Sequence, residues 1–253
     1  MLRTRKQNSQ AGTSLIEVAL TILILVIVMG AVFSQIDNVT KSAKHESIAV
    51  DLVQQNRDFV DLFVRDIHMT GYPHSAMYGL DQSQPCTGSS IVPTPTLPQC
   101  ALNVSAGIVF VSPTSLRLEG DVYGDGNVYD VLYTYYKVDP NTPPDPNCPC
   151  LRRSAMLKIN GDPIGGQPLP KYYTEVQNVI DPTNMVQGIF TYFDANGNPI
   201  TIPTAGYDFE NNGGTIQTID AIKVNLNVRS VQLDLNTGSP VVYSLASIAE
   251  LEN

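Results

Sequence analysis

The sequence predicts an α+β protein in which one long amino-terminal helix packs on an antiparallel β-sheet domain. Three observations predict this class. A membrane-length apolar run lies near the amino terminus, an amphipathic stretch continues it without a proline before Pro73, and short strand-like patterns recur from residue 107 onward. The first two observations indicate a helix, and the third indicates strands joined by turns.

Composition and charge narrow the class of protein. The 253 residues are 43% apolar, as in a folded chain, and carry a formal net charge of −9. An acidic chain of this kind lacks the basic face that a general nucleic-acid binder needs, so we expect no nucleic-acid partner. The residues before Gly12 are basic, whereas the remainder is acidic.

The amino-terminal third is predicted to be one helix from about Thr13 to Met69. Its apolar run, Leu15 to Phe33, has nineteen residues, enough to span a bilayer at roughly 1.5 Å per residue. Gly71 and Pro73 then end the helix. Apolar residues beyond the run recur at spacings near 3.5, which predicts a face packed on a sheet: Val50, Val53, Val60, Val64 and Ile67, widened by Leu52, Phe59, Leu62 and Phe63.

An ordinary signal peptide is the alternative for this start. The apolar run is longer than a signal peptide needs, and the residues after it, Ala31 to Gln35, are a poor cleavage site. The short basic end should remain cytoplasmic and send the bulk of the chain outward.

A resemblance to a known family is carried by Gly12-Thr13-Ser14-Leu15-Ile16-Glu17 and the apolar run behind it. This stretch resembles the processing site of type IV prepilins and type II secretion pseudopilins. The resemblance implies that a prepilin peptidase cuts after Gly12 and that Thr13 becomes the methylated new terminus. The family usually has Phe at the first mature position, where this chain has Thr13.

Glu17 is the glutamate that the resemblance assigns to assembly. A carboxylate beside the acyl region is expected to be neutralised or to find a cation. In a filament, the terminal amine of a neighbouring subunit would supply that cation. The alternative is a side chain that only snorkels to the membrane surface.

A second match lies at the end of the helix. Phe63 to Tyr72 (FVRDIHMTGY) resembles the helix end of PilW-like minor pilins, and Gly188 to Asn198 and Ile219 to Ser230 look like late strands of that group. The implied division is a leader at 1–12, a membrane and filament-core half-helix at 13–36, an amphipathic half-helix at 37–70 and a β-rich domain at 71–253.

The function implied by these resemblances is that of a minor type IV pilin taking part in pilus initiation or assembly. Such a protein is held in the inner membrane with its amino terminus cytoplasmic, then joins a periplasmic or extracellular pilus. Its partners are other pilins, through the helix, and the prepilin peptidase. A minor pseudopilin of type II secretion and a membrane-anchored periplasmic binding domain are the alternatives.

Four cysteines, Cys86, Cys100, Cys148 and Cys150, fit disulfides in an oxidising compartment. Of the three possible pairings we favour Cys86–Cys100, which leaves Cys148 and Cys150 to pair with each other or stay reduced. Zinc is disfavoured because neither pair has CxxC spacing and no histidine is close in sequence.

Seven segments beyond residue 100 have strand character, and Asp125-Gly126 and Asn196-Gly197 favour hairpins between them. We expect one antiparallel sheet wrapped on the helix. The segment Tyr173 to Asp181 fits either a short helix or a strand. The predicted strands are Gly107 to Val111, Ser115 to Glu119, Val128 to Val138, Leu151 to Ile159, Gly188 to Phe193, Ile219 to Val228 and Val241 to Ile248.

One loop has a partial calcium pattern. Asp121, Asp125 and Asn127 occupy the first, fifth and seventh places of an EF-hand loop, with Gly126 at the sixth. The twelfth place is Leu132, so the bidentate carboxylate is missing, and strands flank the loop. An Asp-Gly hairpin turn is the favoured interpretation, with calcium as the alternative.

No catalytic motif is present, and we predict no enzymatic activity and no cofactor. The three histidines lie on or just after the long helix. Arg152 and Arg153 are predicted to be surface residues on a strand. The run of tyrosines at 129, 133, 135 and 136 is expected to alternate between core and half-buried positions.

Overall fold

The protein, described by a computed structural model over residues 14–74, 102–137, 148–182, 188–235 and 237–252, is a long helix followed by a β-rich domain. This confirms the α+β class. The elements within the described residues are α1 Leu15–His68, β1 Ile108–Val111, β2 Ser115–Gly120, β3 Tyr129–Tyr136, β4 Cys150–Leu157, β5 Tyr173–Val176, β6 Phe190–Phe193, β7 Pro199–Ile200, β8 Tyr207–Asp208, α2 Phe209–Ile216, β9 Ala221–Leu233 and β10 Pro240–Glu250.

Helix α1 is uninterrupted for 54 residues and its ends agree closely with the predicted helix. Ser14 is the residue before its first turn, and Met69 follows its last. The chain then turns through Gly71, whose φ of 86° lies in the region that favours glycine. The predicted stop at this position is therefore confirmed.

The strands form two antiparallel sheets, so the prediction of a single sheet is wrong. One has six strands in the order β5-β4-β3-β2-β1-β8, and the other has four in the order β10-β9-β6-β7. After β5 the chain crosses from one sheet to the other. At this crossing the Val179 N–H donates to the carbonyl of Pro149, directly before β4 of the first sheet. The Ile180 N–H donates to the carbonyl of Asn227 on β9 of the second sheet. Alternation of side chains predicts which face of a strand is buried but not which strand lies beside it.

The buried face of α1 contains Leu52, Phe59, Phe63 and Ile67 of the predicted face, but its centre lies about one position earlier than the predicted row of valines. The buried residues are Ile48, Leu52, Asn56, Phe59, Phe63, Asp66 and Ile67, whereas Val50, which the sequence places in the core, is 61% exposed. The two phenylalanines account for this orientation, because they bury more apolar area than valines do. Phe63 lies 5.6 Å from the ring of Tyr133 on β3 and 6.0 Å from Phe190 on β6, so one helix face contacts both sheets.

All seven predicted strands correspond to strands of the structure, and the ambiguous segment contains β5. The two short strands β7 and β8 and helix α2 were not predicted. Helix α2 contains Gly213 and Gly214 and has weak helix propensity. Its N-cap is Asp208, whose carboxylate accepts a hydrogen bond from the Asn211 N–H at 2.7 Å.

Candidate functional site

No part of the chain that the structure describes covers the first half of α1. The helix has no buried residue before Ile48, and large apolar side chains from Leu15 to Val39 are about half exposed or more. Each such side chain left in water forgoes about 1.5–3 kcal/mol of transfer free energy. This helix is long and apolar enough to cross a membrane.

Glu17 lies in the first turn of this exposed half. It is the one ionisable residue between Leu15 and Ile36, and its N–H donates to the Ser14 carbonyl at 2.9 Å. A carboxylate in the first turn interacts favourably with the helix dipole. Gly12 and Thr13, the predicted processing residues, lie outside the described residues.

The opposite end of α1 is fixed to the six-stranded sheet by a buried polar cluster of Asp66, Tyr133 and Arg153. The Tyr133 hydroxyl donates to Asp66 Oδ2 at 2.6 Å, and Arg153 Nε donates to the same oxygen at 2.7 Å. Asp66 Oδ1 lies 3.7 Å from an Arg65 nitrogen. Arg153 is 7% exposed, so the prediction that it is a surface residue is wrong.

Burial dominates the protonation of this cluster. It raises the pKa of Asp66 although the nearby Arg153 charge acts to lower it. The same burial, together with the Asp66 charge, raises the pKa of Tyr133 well above its usual range. The tyrosine therefore keeps its proton and donates it in the hydrogen bond to Asp66, which ties the helix end to β3 and β4.

A second buried pair lies on the other face of this sheet. Lys158 Nζ is 2.7 Å from Glu119 Oε2, and both side chains are fully buried. Lys158 also donates to the Val104 carbonyl at 3.0 Å, and the Ala106 N–H donates to Glu119 Oε2 at 2.8 Å. Burial raises the pKa of Glu119, against the lowering effect of Lys158.

The backbone beside Glu119 holds the residues that follow the helix. Its carbonyl accepts the Gly71 N–H at 3.0 Å, and Asp121 N–H donates to the Tyr72 carbonyl at 2.9 Å. A Cβ on Gly120 would overlap the carbonyl oxygen of Met69. Glycine is therefore needed at 120 for the helix end to approach β2 this closely.

The loop from Asp121 to Asn127 uses its carboxylates internally. Asp121 accepts the N–H groups of Asp125 and Gly126 at 3.0 and 2.8 Å. Asp125 accepts the N–H of Asn127 at 3.0 Å and the hydroxyl of Tyr129 at 2.8 Å, bonds that lower its pKa. Within the described ranges, no group of three or more His, Cys, Asp or Glu side chains could hold a metal ion.

The described residues include two of the four cysteines. Cys148 and Cys150 form a disulfide with each other, which is one of the two outcomes that the sequence leaves open for them. Cys86 and Cys100 lie outside the described residues, so their pairing stays a prediction.

A small cavity of about 250 Å³ lies on the outer face of the six-stranded sheet. Phe110, Leu132 and Ile164 make it largely apolar, and Arg117 and Asp208 are its charged groups. Arg117 is held by Asp130 through two hydrogen bonds of 2.7 and 2.8 Å. The guanidinium is thus already neutralised, which weakens the cavity as an anion site.

Sequence reasoning missed both buried ion pairs. Arg153 and Lys158 both fall in the predicted strand Leu151 to Ile159, where alternation alone places charged residues outward; in the structure Arg153 lies on β4 and Lys158 directly follows it. For Arg153 the available signal was the tyrosine-rich β3 beside it, because buried hydroxyls need hydrogen-bond partners and the Tyr133 hydroxyl shares Asp66 with Arg153. No protein-family model, curated protein or solved structure matches this chain.

Proposed function

We propose that this chain is a minor type IV pilin that takes part in initiating or assembling a pilus. It is held in the inner membrane with its amino terminus in the cytoplasm and is cut by prepilin peptidase after Gly12. It then joins the periplasmic or extracellular pilus through contacts of α1 with other pilins.

The observation that carries this proposal is the exposed apolar half of α1, with Glu17 in its first turn. A half-helix with apolar side chains on every face suits two environments in turn, the acyl chains before assembly and neighbouring helices afterwards. The charge of Glu17 is costly in the first environment and useful in the second, where a terminal amine pairs with it. A plain anchor needs no carboxylate there.

Processing is the first test. Mass spectrometry of the native protein should find a chain that begins at a methylated Thr13. An intact Met1 terminus would refute the pilin proposal and favour a membrane-anchored domain.

Assembly is the second test, with Glu17→Gln as the variant because it removes the charge and keeps the size. A charge-assisted hydrogen bond contributes about 1.5–3 kcal/mol, so incorporation into sheared pili should fall roughly tenfold to a hundredfold. Cleavage and methylation should be unchanged. Asp51→Asn is the matched control, because Asp51 is an exposed carboxylate on the same helix. Equal incorporation of both variants would count against the role of Glu17.

The outer-face cavity supports a second candidate, a membrane-anchored binding domain. Its small volume and neutralised Arg117 suit a small, mainly apolar ligand. Leu132→Phe would fill the cavity, and a binding domain would lose its ligand while a pilin would assemble normally.

A further inference from the structure

Helix α1 carries a second apolar stripe on the side facing away from its own sheets. Ile36, Val39, Ala43 and Val50 are all exposed, and their spacings of three, four and seven residues place them on one helix face. The buried residues of the same region, Ile48 and Leu52, lie on the opposite face. We call the four exposed residues the back stripe.

The end of the β9–β10 hairpin is also apolar and exposed. Val231, Leu233, Leu235 and Val242 are each more than half exposed, and we call them the hairpin tip. A soluble surface rarely gathers several large apolar side chains without a binding role. Neither the back stripe nor the hairpin tip is covered by any part of the chain that the structure describes.

Two contacts fix the position of the hairpin tip along the axis of α1, which we call its height. Asp234, between Leu233 and Leu235 of the tip, lies 3.5 Å from His45 Nδ1. Glu252, beyond the far end of β10, lies 3.8 Å from His68 Nδ1. The hairpin therefore runs alongside α1 with its tip toward the helix amino terminus. The back stripe, from residue 36 to 50, lies at the same height as His45.

The hairpin tip lies too far from the hydrocarbon of a membrane to be covered by lipid. His45 lies twelve residues beyond Phe33, the end of the apolar run, or roughly 18 Å along the helix. The headgroup layer extends only about 5–8 Å beyond the hydrocarbon. With the helix upright, the tip lies beyond the headgroups, where a protein surface is the remaining cover.

We propose that the hairpin tip of one copy of this chain packs on the back stripe of a second copy. The two patches lie at equal heights, so neighbouring copies meet side by side with their membrane-spanning halves aligned. Each helix is then covered by its own sheets on one face and by the neighbour's hairpin on the other. A contact between two different patches is heterologous and can repeat from copy to copy. The proposal deepens the pilin role and rests on it.

Charges at the two patches are complementary. Glu46 is exposed on the helix between Ala43 and Val50, and Arg229 is exposed on β9 directly across from Val242. Neither side chain has an ion-pair partner among the residues that the structure describes. In the proposed contact they pair across the two copies and set the register.

Photo-crosslinking of the full chain tests the contact. Protein with a benzoylphenylalanine at position 235 is reconstituted with an isotope-labelled second copy in vesicles of phosphatidylethanolamine and phosphatidylglycerol. After illumination, mass spectrometry should find links to labelled peptides that contain residues 36–50. An absence of links between copies, or links that map to other residues only, would overturn the proposal.

Two sets of variants sharpen this test. The double variant Val231→Ser, Leu233→Ser should lower the yield of links about tenfold, since apolar burial is lost. Ile248→Ser is the matched control, because Ile248 is 55% exposed on the same hairpin and Leu233 is 54% exposed. Glu46→Arg and Arg229→Glu should each lower the yield of links, and the double variant that carries both substitutions should restore that yield. A double variant that does not restore the yield would refute the proposed register.

The state of the amino terminus, measured in the native protein, separates this contact from the pilin role. A methylated Thr13 without links between copies would leave the pilin role standing and refute the contact. Links between copies of a chain that keeps Met1 would refute the pilin role and leave self-association standing.

Discussion

Replacement of Lys158 by Met would leave the fully buried carboxyl group of Glu119 without its ion-pair partner. The two groups are 2.7 Å apart with no exposed side-chain surface, so water cannot take over for the lost ammonium. Breaking a buried pair from one side costs about 3–5 kcal/mol. For a domain of this size that lowers the midpoint of thermal unfolding by about 6–20 °C.

The assay is thermal and denaturant unfolding of the detergent-solubilised chain, followed by circular dichroism of the sheet domain. Lys137→Met is the matched control, because Lys137 lies 2.6 Å from Asp181 but is 68% exposed. An exposed pair of this kind contributes about 0–1 kcal/mol. The double variant Glu119→Gln, Lys158→Met should be more stable than Lys158→Met alone, since no charge remains buried at this site.

The pH dependence gives an independent check. Burial raises the folded-state pKa of Glu119, and loss of Lys158 removes the main effect that lowers it. A carboxyl whose pKa is higher folded than unfolded adds stability below the unfolded value of about 4.3, and that stability is lost as pH rises through the folded pKa. The deficit of Lys158→Met should therefore shrink as pH falls from 8 toward 4.5. A deficit below about 1 kcal/mol at pH 8, or one independent of pH, would refute the reasoning.

Two further predictions concern the helix orientation and the loop. Phe63→Ala should lower the free energy of unfolding by about 3–5 kcal/mol, because Phe63 is fully buried. Val50→Ala should change the free energy of unfolding by less than about 0.5 kcal/mol in the isolated chain. Equal effects of the two variants in denaturant unfolding would contradict the observed orientation of the helix. Calcium should leave the melting temperature unchanged, because Asp121 and Asp125 already accept hydrogen bonds within their own loop; a rise with calcium that a chelator reverses would show that the loop binds the ion.

The helix was predictable to within two residues at each end because its signals are local. An unbroken apolar run, the lack of proline before Pro73, and Gly71 just beyond the last turn each act over a few residues. The same holds for the seven strands, whose turns contain glycine at positive φ, as at Gly126 and Gly197.

The rotation of the helix was not predictable in this way. The valines from 50 to 64 and the pair Phe59 and Phe63 define two overlapping apolar faces one residue apart. Periodicity alone cannot rank them, since both have helical spacing. The aromatic contacts with Tyr133 and Phe190 select the second face, and those residues are 70 or more positions away in sequence.

The sequence by itself determined the long apolar helix, the strands and the single carboxylate at the helix start, because each depends on residue types at short spacing. Only the tertiary structure decided that the strands divide into two sheets, that Asp66 and Arg153 meet, and that Lys158 is buried against Glu119. These features depend on which segments, distant in sequence, contact each other in the fold. Only after those contacts form is a charge buried, and only then does its desolvation cost favour an ion pair. The height of the hairpin tip beside His45 is of the same kind, since it follows from how the sheets are placed along α1.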